Sequence, residues 1–396
     1  MSVVKYILPV LAAAGAAQAQ CSTTATLTIE NPSDASALSS CRTFSGNIAL
    51  ATSVEGDITI PGVRSIDGSL SAVNVTNLNT ISAPQLEEIA DTFELRDNQN
   101  LASISMDSLT DIDTIQWVGL ANLRNLGFAA GISSVSVVNI DNTQLSSIDG
   151  IGVDAVNEFT LVNNGLLTQL QLDLVKVSRT LIISGNGEDL MVQFPLLETA
   201  QNLTFRNCSD VKLPSLESVN GTVGFFSTKF ESFGMPNLTT VGGLLFQDNL
   251  NLANLSLPEL ETVGGGFKIS NNPDLLELDF PALVTVRGAL DFSGNFTSVV
   301  MDEINLVQGA FNIQSSSDEI EEQCDGFKAM SGRNKPIRGE YQCVPGVETP
   351  GDATTNPTRT SSGSSATDTG AAGHLDVSST AAIGLFGVLA TMFGLL

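Results

Sequence analysis

"LPELETVGGGFKISNN" at residues 257–272 and "FPALVTVRGALDFSGN" at residues 280–295 are one sentence written twice. Each has Pro, an apolar residue two places on, Val five places on and Gly seven places on, then an alternating run and Asn. With the Pro as anchor, equivalent positions fall at 39, 61, 84, 107, 130, 151, 172, 195, 214, 236, 258, 281 and 302. The spacing is about 22 residues, inside the range of leucine-rich repeats. Two places after each anchor stands an apolar residue, from Cys41 and Val63 to Leu283 and Ile304. Five places after stands another, from Phe44 and Ile66 to Val286 and Val307.

The chemistry of the repeat says what it builds. Gly46, Gly68, Gly221, Gly243, Gly265, Gly288 and Gly309 recur seven places after their anchors, where glycine permits a sharp bend or a close approach of backbones. Short alternating runs follow, such as Phe93/Leu95, Phe267/Ile269, Leu290/Phe292 and Phe311/Ile313, with one side facing a core. Asn74, Asn98, Asn249, Asn271 and Asn295 come next, at turns where an amide bonds neighbouring backbone. A unit this short cannot bury its own apolar side, so it must stack on its neighbours. The expected fold is mainly β, a right-handed parallel β-solenoid of leucine-rich-repeat-like coils. Residues 107–180 depart from the glycine pattern, which leaves their coil geometry open.

A solenoid has open ends that need covering. Asn31 as N-cap, Pro32 in the first turn and Asp34 near the positive end predict a short helix at the start. Ser316 with Glu319 predicts a capping box for another at the end. Cysteines stand at 21, 41, 208, 324 and 343. Two lie at each end of the repeat region, so Cys21–Cys41 and Cys324–Cys343 are expected as local cap disulfides in an oxidising compartment. Cys208 is the odd one, expected as a buried free thiol in preference to an intermolecular bridge.

The chain ends carry addresses. Residues 1–19, with one Lys, an apolar run and small residues at Ala17 and Ala19, read as a secretory signal peptide. At the other end, small residues around Gly370, a polar spacer and an apolar run to Leu396 fit a GPI-attachment signal better than a tail-anchored helix. Attachment is expected at Gly370, with 371–396 removed. Residues 346–370 are rich in Ser, Thr, Pro and Gly and read as an O-glycosylated stalk. The folded unit is thereby expected at 20–345.

The formal net charge of −26 repels nucleic acid and anionic lipid headgroups. The single histidine, His374, lies in the segment that GPI transfer removes. That excludes Ser/His/Asp and Cys/His chemistry and most zinc sites, and no cofactor is implied. A carboxylate-based polysaccharide hydrolase needs paired acids, whereas Glu87/Glu88, Glu217, Glu259 and Glu261 sit at exposed repeat positions. A sugar-stacking surface is the other rival, but the chain has one Trp and two Tyr, and Trp117 reads as core. Acceptor sequons stand at Asn74, Asn202, Asn207, Asn220, Asn237, Asn254 and Asn295.

"SDASALSSCRTFSGNIAL" at 33–50, followed by the Gly-spaced coils, resembles the fungal GPI-anchored cell-wall organisation proteins, the sporulation-specific and "extracellular mutant" group with receptor L-domain-like repeats. The resemblance spans residues 1–396. It implies an N-glycosylated protein of the plasma-membrane surface and wall, required for wall integrity and morphogenesis, with no catalytic residues. The implied partners are the membrane through the GPI lipid and wall glucan through the GPI remnant. The alternative is a receptor or adhesin for a glycan or protein ligand.

Overall fold

The structure is a computed structural model in which residues 21–351 are described. The coil at 281–301 shows how the motif becomes a turn of solenoid. Proline fixes φ at the turn's start and Leu283 drops into the core. Thr285–Val286 form a two-residue strand, Gly288 bends the chain, and Leu290–Gly294 form a second strand. Asn295 and Phe296 then turn the chain to the far side, where Ser298–Val300 make a third. Each strand pairs in parallel with the equivalent strand one coil earlier: Val286 with Val263, Phe292 with Ile269, Val299 with Leu278. Side chains alternate, so Val286, Leu290, Phe292 and Val299 are buried together in a core that runs the length of the molecule.

Coil upon coil, the first two strands join into one 20-stranded parallel sheet. The far-side strands form four shorter sheets. Between Glu88 and Gln247 the first two strands fuse into single strands such as Asp111–Leu120 and Ser218–Phe226, except in the coil of Val137–Thr143, whose first strand is reduced to a bridge at Ser134. There the bend survives as a slip in register, between Ile112 and Thr114 and between Val219 and Thr222. The extra residue of a bulge re-aims the chain, with Gly221 at the bulge between Val219 and Thr222 and no glycine at the one between Ile89 and Thr92. The region without regular glycines therefore keeps its place, with Phe93, Ile115, Val138, Phe159 and Leu181 stacked in one row.

Glycine at the bend has a steric cause. A Cβ on Gly288 would lie 2.5 Å from the carbonyl oxygen of Gly265, and one on Gly309 would lie 2.6 Å from that of Gly288. Successive backbones touch there. Gly339 extends the same stack onto Gly309, although no repeat anchor marks it.

Aromatic rings stack along the core at the coil spacing. Phe225 lies 5.4 Å from Phe205 and 5.0 Å from Phe246, with the rings nearly parallel, an arrangement that adds to burial alone. Trp117 is fully buried beside Phe93 and Phe128, as a core residue. Its indole N–H has no hydrogen-bond partner among the described residues.

Both ends are closed by helices. In α1 (Pro32–Ala37) the Asn31 side chain accepts from the Ser33 and Asp34 amides, and the Asp34 carboxylate accepts from the Asn31 amide at 3.2 Å. At the other end the cap is Ser317, not Ser316. The strand Phe311–Ser315 holds its extended backbone through Ser317, and a 3-10 turn starts at Asp318 before α2 (Glu321–Ala329). Ser317 Oγ accepts from the Glu319 amide at 3.2 Å, while Ser316 Oγ donates to Asn295. After the last strand, Tyr341–Val344, the chain crosses the outward face of the large sheet. Gly351 donates to Gln314 and accepts from Asn312, burying both side chains.

Candidate functional surface

The disulfides bond the caps to the coils they cover. Cys21–Cys41 encloses α1, and Cys324–Cys343 joins α2 to the last strand, each with Cα atoms 5.4 Å apart. The Tyr341 hydroxyl donates to the Cys324 carbonyl. Burial, reinforced by the Asp325 carboxylate, pushes its pKa up to about 12, so this donor keeps its proton at physiological pH.

The turn from the second strand to the far side is the most regular corner of the coil. Asn74, Asp97, Asn142, Asn163, Asn207, Ser227, Asp248 and Asn271 occupy it with φ between 52° and 60°, the left-handed region in which Asn and Asp are enriched. The next residue points inward, and where it is Asn it brackets the coil before it. Asn98 accepts from the Val75 amide at 2.9 Å and donates to the Ala72 carbonyl at 2.8 Å. Asn249 does the same for Thr228 and Phe225, and Asn272 for Asn249 and Phe246. Asn98 and Asn249 were legible in the sequence. Asn164, Asn186 and Asn272 were not, because coil lengths vary and move the position by one residue. Cys208 occupies this inward position in its own coil, fully buried, with its thiol 3.7 Å from the Arg206 carbonyl. Burial pushes the thiol up to about 12.

The sequons fall into two groups. Asn74, Asn207, Asn220, Asn237 and Asn254 are exposed. Asn202 and Asn295 are half-buried with both amide ends used between coils. Asn202 donates to the Arg179 carbonyl and accepts from the Thr222 amide, and Asn295 donates to the Pro273 carbonyl and accepts from the Ser316 hydroxyl. The expected signal peptide 1–19, most of the expected stalk, Gly370 and His374 lie outside the described residues. Glu87, Glu217 and Glu261 share one row of the coil, Glu217 and Glu261 being two coils apart with Thr239 between them, and Glu88 and Glu259 lie beside that row. Glu87 pairs with Arg64 at 2.8 Å, and Glu217, Glu259 and Glu261 are exposed.

One surface feature was not legible in the sequence. Far-side strands run to Ser103–Ser105 and resume at Gln169–Gln171, with none in the two coils between. Gln169–Gln171 pairs only with the following strand, Met191–Gln193, so its other edge carries no strand. Beside that edge, between residues 146–154 and 168–173, lies a cleft of about 650 Å³. A second recess shares Ser147 and Asp149 with it and continues along the gap towards Asp107. The only sign in the sequence is the loss of the glycine pattern over 107–180.

An all-parallel solenoid with disulfide-closed ends and asparagine sequons on its exposed corners defines a secreted repeat glycoprotein of the cell surface. Residues 1–39 match the Ecm33 family, described as a GPI-anchored cell wall organization protein. The chain is 42% identical over 372 residues to the protein named ecm33 of Aspergillus fumigatus, covering 93% of this chain and 90% of that one. It is 36% identical to a cell surface GPI-anchored protein of Arthroderma benhamiae, over 88% and 89% of the two chains. It is 31% identical to sporulation-specific protein 2 of Saccharomyces cerevisiae, over 78% of this chain and 62% of that one. No solved structure matches. The chain belongs to the fungal family of GPI-anchored cell-wall organisation proteins.

Proposed function

We propose that the chain acts without catalysis, as a wall-organising glycoprotein whose sealed solenoid is carried on a stalk. The mature protein is residues 20–370: solenoid to 345, stalk from 346 with its first residues, to Gly351, laid on the last coils, and GPI lipid on Gly370 after loss of 371–396. It is held first by that lipid in the outer leaflet. It then passes in part to wall glucan through the GPI remnant, because only Arg359 lies just upstream of attachment and no basic pair stands there. The exposed sequons carry N-glycans, and Asn202 and Asn295 are the least favoured because their amides are committed between coils.

The observation that carries this reading is the continuous core closed by a disulfide-bonded cap at each end. Such a unit folds without its anchor, so truncation after Gly370 should release folded, glycosylated protein into the medium and leave the wall defective. Purified 20–370 should leave wall glucan, chitin and pectin unchanged. A truncated protein that stayed on the membrane, or turnover abolished by one Asp or Glu substitution, would overturn the reading.

A further inference from the structure

We propose that the cleft beside Gln169–Gln171 binds a neutral, hydroxyl-rich polysaccharide chain. The inference goes beyond wall anchoring, which needs no ligand on the solenoid.

The cleft exists because two coils lack far-side strands, so the floor is core and the walls are polar. Ile148, Ile151, Val153 and Leu172 form the floor and are each at most 5% exposed. Ser146, Asp149, Asp154, Gln169, Gln171 and Asp173 line the walls and are exposed. Carboxylates and amides suit pairs of sugar hydroxyls, because each oxygen offers two acceptor positions and each amide also donates. The volume lies within the range of about 300–1,000 Å³ usual for ligand clefts. The recess towards Asp107 prolongs the gap along the coil axis, as a linear polymer requires.

The lining also says what does not fit. It contains no Lys, Arg or His, so phosphorylated, sulfated or uronic polymers meet only like charge. It presents no exposed apolar or aromatic side chain of the kind that anchors a protein interface, and none on which a sugar ring would stack, so the polymer is held by hydrogen bonds alone. A third, independent observation is the distribution of sequons: one at Asn74 and six from Asn202 to Asn295, with none between. The coils that bear the cleft are the stretch where the protein would carry no N-glycan of its own to block it. The cleft also faces a different side of the coil from the sheet face over which the chain leaves towards its anchor.

The test is a glycan wedge on the secreted chain ending at Gly370. The double substitution Gln169→Asn with Gln171→Thr writes the sequon Asn-Leu-Thr across the cleft's edge, using two outward side chains of the strand. Ala102→Ser writes a control sequon at the exposed Asn100, three coils earlier. A second cleft variant, Asp154→Ala with Asp173→Ala, removes acceptors without adding bulk. Retention is measured on immobilised β-1,3-glucan, β-1,6-glucan, chitin and α-mannan, with polygalacturonate as the anionic control. Thermal melts and the mass of the added glycan check folding and occupancy. Expected are retention on at least one neutral polymer, at least a tenfold loss in both cleft variants, no loss with the control wedge, and none retained on polygalacturonate. Failure to bind any neutral polymer would overturn the proposal, as would binding that survives both cleft variants. If the wedge blocks only the capture of a wall protein, the cleft is a protein site and the glycan assignment is wrong.

Discussion

The stacked bend makes one chemical change act in opposite directions at two glycines. In Gly288→Ala the new methyl would sit 2.5 Å from the Gly265 carbonyl oxygen and 2.8 Å from the Gly266 nitrogen. Both are backbone atoms, and neither can rotate aside. Restoring ordinary contact at 3.4 Å requires the two coils to part locally by about 0.9 Å. The Gly288 amide donates to that same oxygen at 2.9 Å, so the movement takes this bond out of hydrogen-bonding range. The lost bond costs about 1 kcal/mol and overpacking about 1–3 kcal/mol, together on the order of 2–4 kcal/mol. Gly309 and Gly339 rest on the same stack, so the loosened coils are those next to the C-terminal cap. At Gly326 within α2 an added Cβ meets nothing within 4 Å. There Ala should stabilise by about 0.5–1 kcal/mol through helix propensity. The assay is urea unfolding of the secreted chain, read by far-UV circular dichroism. Amide hydrogen exchange over residues 262–315 is read as well, because a repeat array need not unfold in one step. A Gly288→Ala protein within 0.5 kcal/mol of the parent, or a Gly326→Ala protein less stable than Gly288→Ala, would refute the close-approach explanation of the motif.

Other expectations follow from single groups. Native Cys208 should resist alkylation at pH 8 and react once the chain is unfolded, whereas peptide mapping should recover Cys21–Cys41 and Cys324–Cys343; a bond from Cys208 to either cap would contradict this. Because burial raises the folded pKa of Cys208 from 9.0 to about 12, its contribution to stability is complete below pH 9. It declines as pH rises towards 12, and Cys208→Ala should flatten part of that decline in a pH series of melts. Asn98→Ala leaves the Val75 amide buried without a partner and takes one bond from the Ala72 carbonyl, at about 1–3 kcal/mol for the orphaned amide. Calorimetry should show a larger loss than for Asn100→Ala, an exposed neighbour. Trp117→Phe removes an indole N–H that has no partner and should cost well under the roughly 3–5 kcal/mol expected of Trp117→Ala, a difference that equilibrium unfolding resolves.

The solenoid was legible because one constraint acts on every coil. Stacking forces Leu283, Val286, Leu290 and Phe292 into one core, and the same positions must be apolar in each coil, so a single period exposes them all. The bend was legible at Gly288 and Gly309 but not at Ile89–Thr92, where a bulge against Ile112–Thr114 does the same work without glycine. The asparagine brackets were half legible for a related reason. Asn98 and Asn272 serve the same corner, but the residue at φ 55°, Asn271, is also asparagine, and period alone cannot tell the inward one from the outward one. Ser317 displaced Ser316 as cap because the preceding strand sets where the helix can begin, and that is a tertiary fact. The cleft lies furthest from the sequence, since it is made by strands that two coils fail to form. No residue type marks a missing strand. Gln169 and Gln171 look like any exposed pair on an alternating run until the neighbouring coil leaves their edge unpaired. The regular coils therefore make the architecture readable, and the irregular ones are where a ligand has room.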